Sequence, residues 1–212
     1  MASDTTKTNS PSSAAGQRAI ITAARTAFAD RGFDGARLRS ISDAAGVLHT
    51  TMLYHFKSKD MLWRAVVDDL FAELDARLAE HQADAAEQSP LEFSRQLLRA
   101  FIRFSAERPE LHRIMTSEGR AKSERLNWLV ERHSRRFYDL MAGFTPLVDM
   151  PAPHNTPVRL YYAIVGLATA PFTLAPEFEL LSGINPFHEE ELERTITFVE
   201  TLLFRASKAS DR

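Results

Sequence analysis

A chain of 212 residues, 44% hydrophobic and 25% charged, has room for one large or two small domains with a real core. It contains no cysteine, which excludes disulfides, thiolate catalysis and Cys-ligated zinc and fits a cytoplasmic setting. The net charge of -2 conceals an uneven spread: residues 1–64 carry nine Lys and Arg against five Asp, and the remainder is acidic, as suits a head that meets phosphate and a body that does not.

Residues 1–14 are rich in Ser, Thr and Ala and have no apolar run, so they read as a disordered arm and not as a secretory signal. The arm is either a plain linker or, through Lys7, a further phosphate contact. A first helix is expected over about 13–31, where Ile20, Ile21, Ala24, Ala27 and Phe28 share one face. Gly32 then serves as a left-handed C′ residue, and Phe33 folds back onto Phe28. A second helix covers about 38–45 with Leu38, Ile41 and Ala45 inward. Gly46 makes a sharp turn, and a third helix covers about 50–55, anchored by Met52 and Phe56. Two short helices meeting at a glycine form helix-turn-helix grammar over about 38–56, in which the second helix enters the major groove.

A fourth helix opens with Ser58 as cap and Asp60 in its first turn. Its apolar stripe is Leu62, Val66, Leu70, Leu74 and Leu78, with Glu73 and Arg77 paired along it. Residues 81–88 are polar and read as a hinge. Ser89-Pro90-Leu91-Glu92 starts the next helix, which buries Phe93, Leu97, Phe101 and Phe104. A short helix carries Leu111, Ile114 and Met115. Another, opened by Ser123 and closed by Gly143, carries Leu126, Val130, His133, Phe137 and Met141. The prolines of 144–157 mark a loop. An apolar helix follows over 158–175; its 17 uncharged residues from Leu160 fall short of the roughly 20 that span a bilayer, so no membrane contact is expected. The last helix, about 188–206, has the stripe Leu192, Ile196, Val199 and Leu203 and ends near Arg205 and Lys208. Nothing alternates with period 2, so the chain reads as all-α with about nine helices. The expected domains are a helix-turn-helix head at 15–62 and a helical ligand-binding and dimerisation bundle at 63–208.

The head resembles the TetR family of bacterial transcriptional regulators through Ala27-Phe-Ala-Asp-Arg-Gly-Phe-Asp-Gly35, Ile41-Ser-Asp-Ala-Ala-Gly-Val47 and Tyr54-His-Phe-Lys-Ser-Lys-Asp-Met-Leu62. The resemblance covers roughly residues 18–63 and extends to the body only in helix count and order. It implies a homodimer on a palindromic operator in double-stranded DNA, released when a small molecule enters the body and changes the spacing of the heads. It also implies phosphate contacts at Tyr54 and Lys59. Two positions depart from the family pattern. Leu48 stands where Ser usually caps the recognition helix, which leaves His49 or Thr50 to cap it, and Arg37 stands where Ser or Thr is usual.

Read by chemistry, His49, Thr50 and Thr51 are the candidates for base edges. Arg37 and Arg39 would grip the backbone beside the second helix. Tyr54 is a phosphate contact or a core aromatic, and His55 a phosphate contact or a packing residue. Leu53 meets a thymine methyl or the core, and Lys57 is solvated. In the body, Phe101, Phe104, Met115, Trp128, Phe137, Met141, Tyr161 and Tyr162 are candidate walls of a pocket for a small apolar or aromatic effector. The alternative for each is plain core. His112, Glu118, Asn127 and His133 are candidate polar groups of that pocket. The last two helices suit dimerisation, through the small residues Ala163, Gly166, Ala168 and Ala170 with Leu167 and Leu174 for bulk on one, and Phe198 and Leu202 on the other. The seven histidines have no metal-ligand spacing, and no nucleophile or phosphate-loop motif occurs, so neither enzyme, metal nor cofactor is expected. Three alternatives stay open: an interaction module whose head has degenerated, favoured by Leu48 and Arg37; an activator in place of a repressor; and, behind both, a small helical enzyme whose site assembles in space.

Overall fold

The computed structural model describes residues 13–81, 88–148 and 153–204, and every regular element among them is helical. The arm through Ser12, most of the expected hinge, Pro151 of the expected loop and the expected helix end at Arg205 and Lys208 lie outside the described residues. The chain divides into two units, residues 1–69 and 70–212, with the division inside one long helix.

In the first unit, α1 (Ser13–Gly35) buries Ile20, Ala24 and Phe28, with Ile21 and Ala27 at the margin. Gly32 interrupts it at φ 65, ψ 178. This is the mirror of extended backbone, open essentially to glycine alone, and not the left-handed C′ geometry expected. The kink lays Phe33 flat against Phe28, ring centroids 6.1 Å apart, and edge-on to Trp63 at 6.4 Å. Packed beside it are α2 (Leu38–Ala44) and α3 (His49–His55). Lys59–Ala79 forms α4, whose expected stripe from Leu62 to Leu78 is buried throughout. Ser58 caps it by accepting from the Met61 N–H at 3.1 Å, and Arg25 on α1 meets Asp69 at 2.6 Å.

The second unit contains α5 (Pro90–Glu107), α6 (Pro109–Glu118), α7 (Glu124–Leu129), α8 (Arg135–Ala142), α9 (Pro157–Thr173), α10 (Ala175–Ser182) and α11 (Glu189–Leu203). Ser89 and Ser123 cap α5 and α7 as their positions in the sequence predict, accepting from the Glu92 and Leu126 N–H groups. The core is built from Leu97, Phe101, Ile102 and Phe104 of α5, Leu111 and Ile114 of α6, Ile164 and Phe172 of α9, and Ile196 and Val199 of α11. Arg99 and Arg103 clamp α5 to α11 through Glu200, Glu189 and Glu193. The bridge to Glu200 holds the Arg99 guanidinium pKa above its ordinary value.

Four expectations need correction. Arg77 does not pair along α4: it reaches Glu107 at 2.7 Å, and Glu73 receives Arg108 at 2.5 Å, because charges on adjoining helices lie closer than the next turn. Phe93 is only half-buried, on the outer margin of α5. The helix expected from Ser123 to Gly143 is broken by a π turn, Val130–Ser134, in which the Arg135 N–H reaches back to the Val130 carbonyl. This inserted residue moves burial from Val130 to Leu129. Finally, the expected helices at 158–175 and about 188–206 have a further helix between them. Pro171 is tolerated within α9, the helix ends at Leu174, and α10 runs until Gly183 stops it at φ 71. With the α7–α8 run counted once, this extra helix raises the expected nine to ten among the described residues.

Candidate nucleic-acid interface and body cavity

The turn between α2 and α3 is built by two residues. Gly46 sits at φ 66, where a Cβ would be strained, and its N–H donates to the Asp43 carbonyl at 3.1 Å. Ser42 is fully buried; its hydroxyl donates to the Arg39 carbonyl at 2.8 Å, and its own carbonyl accepts from the Val47 N–H at 3.1 Å. A larger residue at Ser42 would push the two helices apart. The third helix then locks down through Met52, 1% exposed, and Phe56, 5% exposed. These two anchors fix which face of α3 points outward.

That outward face carries His49, Thr50, Leu53 and Tyr54, with Thr51 and His55 half-buried at its edges. Tyr54 is 80% exposed, which removes the core reading for it, and it sits edge-on to the His55 ring at 5.5 Å. Leu48, in extended conformation, is the N-cap of α3 and makes no side-chain cap bond. Neither His49 nor Thr50 takes over the capping: the helix begins at His49, one residue before the expected start, and the Leu48 carbonyl accepts from Thr51 and Met52. Arg37 likewise flanks α2 without capping it, and both Arg37 and Arg39 are exposed. Lys59 is turned inward in part. Its ammonium donates to the Asp34 carbonyl at 3.1 Å and lies 4.8 Å from the centre of the Phe33 ring, leaving two of its three donors uncommitted. The structure thus gathers Arg37, Arg39, His49, Thr50 and Tyr54 as exposed groups of one helix-turn-helix, and makes Lys59 also a tie within the head.

In the second unit, the eight expected wall residues separate. Met115, Tyr161 and Tyr162 line a cavity of about 540 Å³ between α6, the α7–α8 run and α9. Phe101 and Phe137, with Met115 and Tyr161, line a void of about 10 Å³, large enough for one water at most. Phe104 and Met141 are buried core that lines neither space, and Trp128 packs edge-on to His133 at 5.4 Å. Tyr138, an aromatic of the same helices, lines the larger cavity too, and the sequence reading missed Arg120, Arg135, Val158, Val165 and Thr169 as lining residues. Val130, Ser134 and Tyr138 recur at spacing four, a signal in the sequence, but the π turn just before Arg135 left none.

The expected polar groups also separate. His112 is buried against Ser105, 3.1 Å from its hydroxyl, and burial lowers its pKa to about 4, so it is neutral at pH 7. Glu118 is bound to Ser123 and Arg125, and Asn127 is exposed. His133 stacks on Phe71 at 4.3 Å, beside a second cavity of about 300 Å³. Tyr161 is pushed up to about 12 by burial and by Tyr162, so its phenol keeps its proton and can donate it in a hydrogen bond. Among the described residues no three His, Asp or Glu side chains are grouped to hold a metal, and no single helix is long and apolar enough to cross a membrane.

Residues 20–66, from α1 into α4, match the model for bacterial regulatory proteins of the tetR family. The HTH-type transcriptional regulator RutR of Escherichia coli is 28% identical over 203 residues, 94% of this chain and 93% of its own length. The HTH-type transcriptional repressor KstR2 of Mycolicibacterium smegmatis is 38% identical over 85 residues, 40% of each chain. A TetR-like transcriptional regulator from Rhodococcus sp. RHA1 has the same fold, with a TM-score of 0.62 at 18% identity, over 92% of this chain and 96% of its own. A buried Ser42, a turn at Gly46 and an outward polar face on α3, together with these likenesses, define a helix-turn-helix transcriptional regulator. Its head, residues 20–66, is of the tetR-family type, and over most of the chain the likeness is to transcriptional regulators.

Proposed function

We propose that this regulator is a one-component repressor. Residues 15–62 read DNA and residues 63–208 sense a ligand and dimerise. Two copies bind a near-palindromic operator, one α3 in each major-groove half-site. A small apolar or aromatic molecule entering the 540 Å³ cavity releases them. The observation that carries this reading is the division of α3: Met52 is buried to 1%, while Tyr54, two residues on, is 80% exposed among polar neighbours. Nothing in the head needs Tyr54, Thr50 or His49 to be there, whereas phosphate and base edges do.

On this reading Thr50 and Thr51 meet base edges, with His49 beside them, and Tyr54, His55, Arg37, Arg39 and Lys59 meet phosphate. The dimer forms through α9 and α11. Support comes from Ala163, Gly166, Ala170 and Leu174, exposed on α9, and from Phe198 and Leu202, 59% and 45% exposed on α11. Two small-residue faces with apolar bulk beside them fit a four-helix interface. The body is then a sensor and not a catalyst, and the protein works where the chromosome is, in the bacterial cytoplasm.

The test is selection of genomic fragments by the purified protein, followed by a salt titration of the best fragment. A recurring near-palindrome, with affinity falling steeply as salt rises, is the expected result. No enrichment over random DNA, before and after stripping any co-purified ligand, would overturn it in favour of a degenerate head.

A further inference from the structure

The second unit pairs its arginines thoroughly. Arg77, Arg99, Arg103, Arg108, Arg125, Arg136 and Arg194 each meet a carboxylate. Arg95 and Arg159 donate to backbone carbonyls, and Arg113 and Arg132 also have partners. Among the described residues from 70 to 204, Arg120 and Arg135 alone have none. Both border the same space, the 540 Å³ cavity.

The rest of that cavity sharpens the point. No Asp, Glu, Lys or His lines it, and most of its wall is apolar: Val158, Val165, Leu126 and Leu129, with three tyrosines. The carboxylate nearest Arg120 in sequence, Glu118, is already held by Arg125 and Ser123. Arg135 directly follows the π turn, its N–H donating to the Val130 carbonyl. Such turns are often kept at functional sites. Both guanidiniums are exposed, at the rim of the cavity. An apolar space with two unpaired guanidiniums at its rim suits a molecule with an apolar body and an anionic end. A planar carboxylate fits the guanidinium fork through paired hydrogen bonds.

We infer that the chamber takes an organic acid, its apolar body against Val158, Val165 and the tyrosines and its carboxylate held by Arg120 and Arg135. This rests on the effector reading above and narrows it to a ligand class. Neutral aromatics of the same size then bind as partial occupants, without the arginine contacts.

The test is calorimetric binding of matched pairs to the full-length protein: octanoate, decanoate and 4-phenylbutyrate, each against its primary amide. At least one acid is expected to bind about 10-fold or more tighter than its amide at pH 7.5. Arg120→Gln with Arg135→Gln is expected to abolish that preference while the amide still binds, and Arg135→Lys to restore part of it. If amides bind and release operator DNA as well as the acids do, the acid inference falls and the effector reading stands. If neither member of any pair binds, both fall. A preference that survives in the double variant overturns the assignment to these arginines.

Discussion

The head and the body of this regulator use the same material, amphipathic helices, under different rules. In the head, short helices leave little freedom: a buried Ser42, a Gly46 at φ 66 and anchors at Met52 and Phe56 settle where α3 points. In the body, long helices pack through many residues of similar size, and function lies in the space they leave. A surface that meets DNA is specified residue by residue, whereas a cavity is specified by what fails to fill it. The two tryptophans divide between these regions, Trp63 in the first unit and Trp128 in the second, so single-tryptophan variants report on each separately.

The largest expected effect falls on the head. Trp63 is 1% exposed and packs edge-on to Phe33, so Trp63→Ala should cost the head about 3–5 kcal/mol of stability, read from urea unfolding by circular dichroism. If the regions are separable, Trp128 should report a body transition close to that of the unmodified protein.

The next is in the body and depends on pH. His112 is held neutral by burial, with a pKa near 4 against an unfolded value of 6.5. Between these values the unfolded chain carries a proton that the folded chain does not, so stability rises with pH across that window. It is lost as pH falls from 6.5 towards 4, by on the order of 3 kcal/mol. His112→Gln should flatten the slope seen by Trp128 between pH 6.5 and 4, whatever it does to stability at pH 7. An unchanged slope would mean that another group titrates there.

The smallest is at Leu48, which is 75% exposed and caps nothing. Leu48→Ser should supply the missing acceptor at the start of α3 and raise head stability by about 1 kcal/mol, measured through Trp63 fluorescence. No gain would show that the α3 N–H groups are already well solvated.

Legibility followed the same division. The caps at Ser58, Ser89 and Ser123, the α4 stripe, the turn at Gly46 and the anchors Met52 and Phe56 are local features, written in residue type and spacing. Tyr54 stayed between phosphate contact and core in the sequence, because a tyrosine carries both an apolar ring and a polar tip; its 80% exposure decides it. In the body, α10 was not expected: the apolar helix was read as ending at 175 and the next as starting near 188. The π turn, with Arg135 directly after it, has no residue signature. Phe104 and Met141 show the converse: size and hydrophobicity mark a residue as inside but cannot tell a wall from a core.

The central claim is that the outward face of α3 reads DNA. Its most direct test is the affinity of the unmodified protein and of a Thr50→Ala, Tyr54→Ala variant for the fragment recovered by genomic selection, at two salt concentrations. Both side chains are exposed, so the fold should survive, with Trp63 fluorescence unchanged. The predicted result is a loss of about 10- to 100-fold in affinity at both salts, with the salt dependence little changed because neither side chain carries a charge. Equal affinity at both salts, with the head intact, would contradict it.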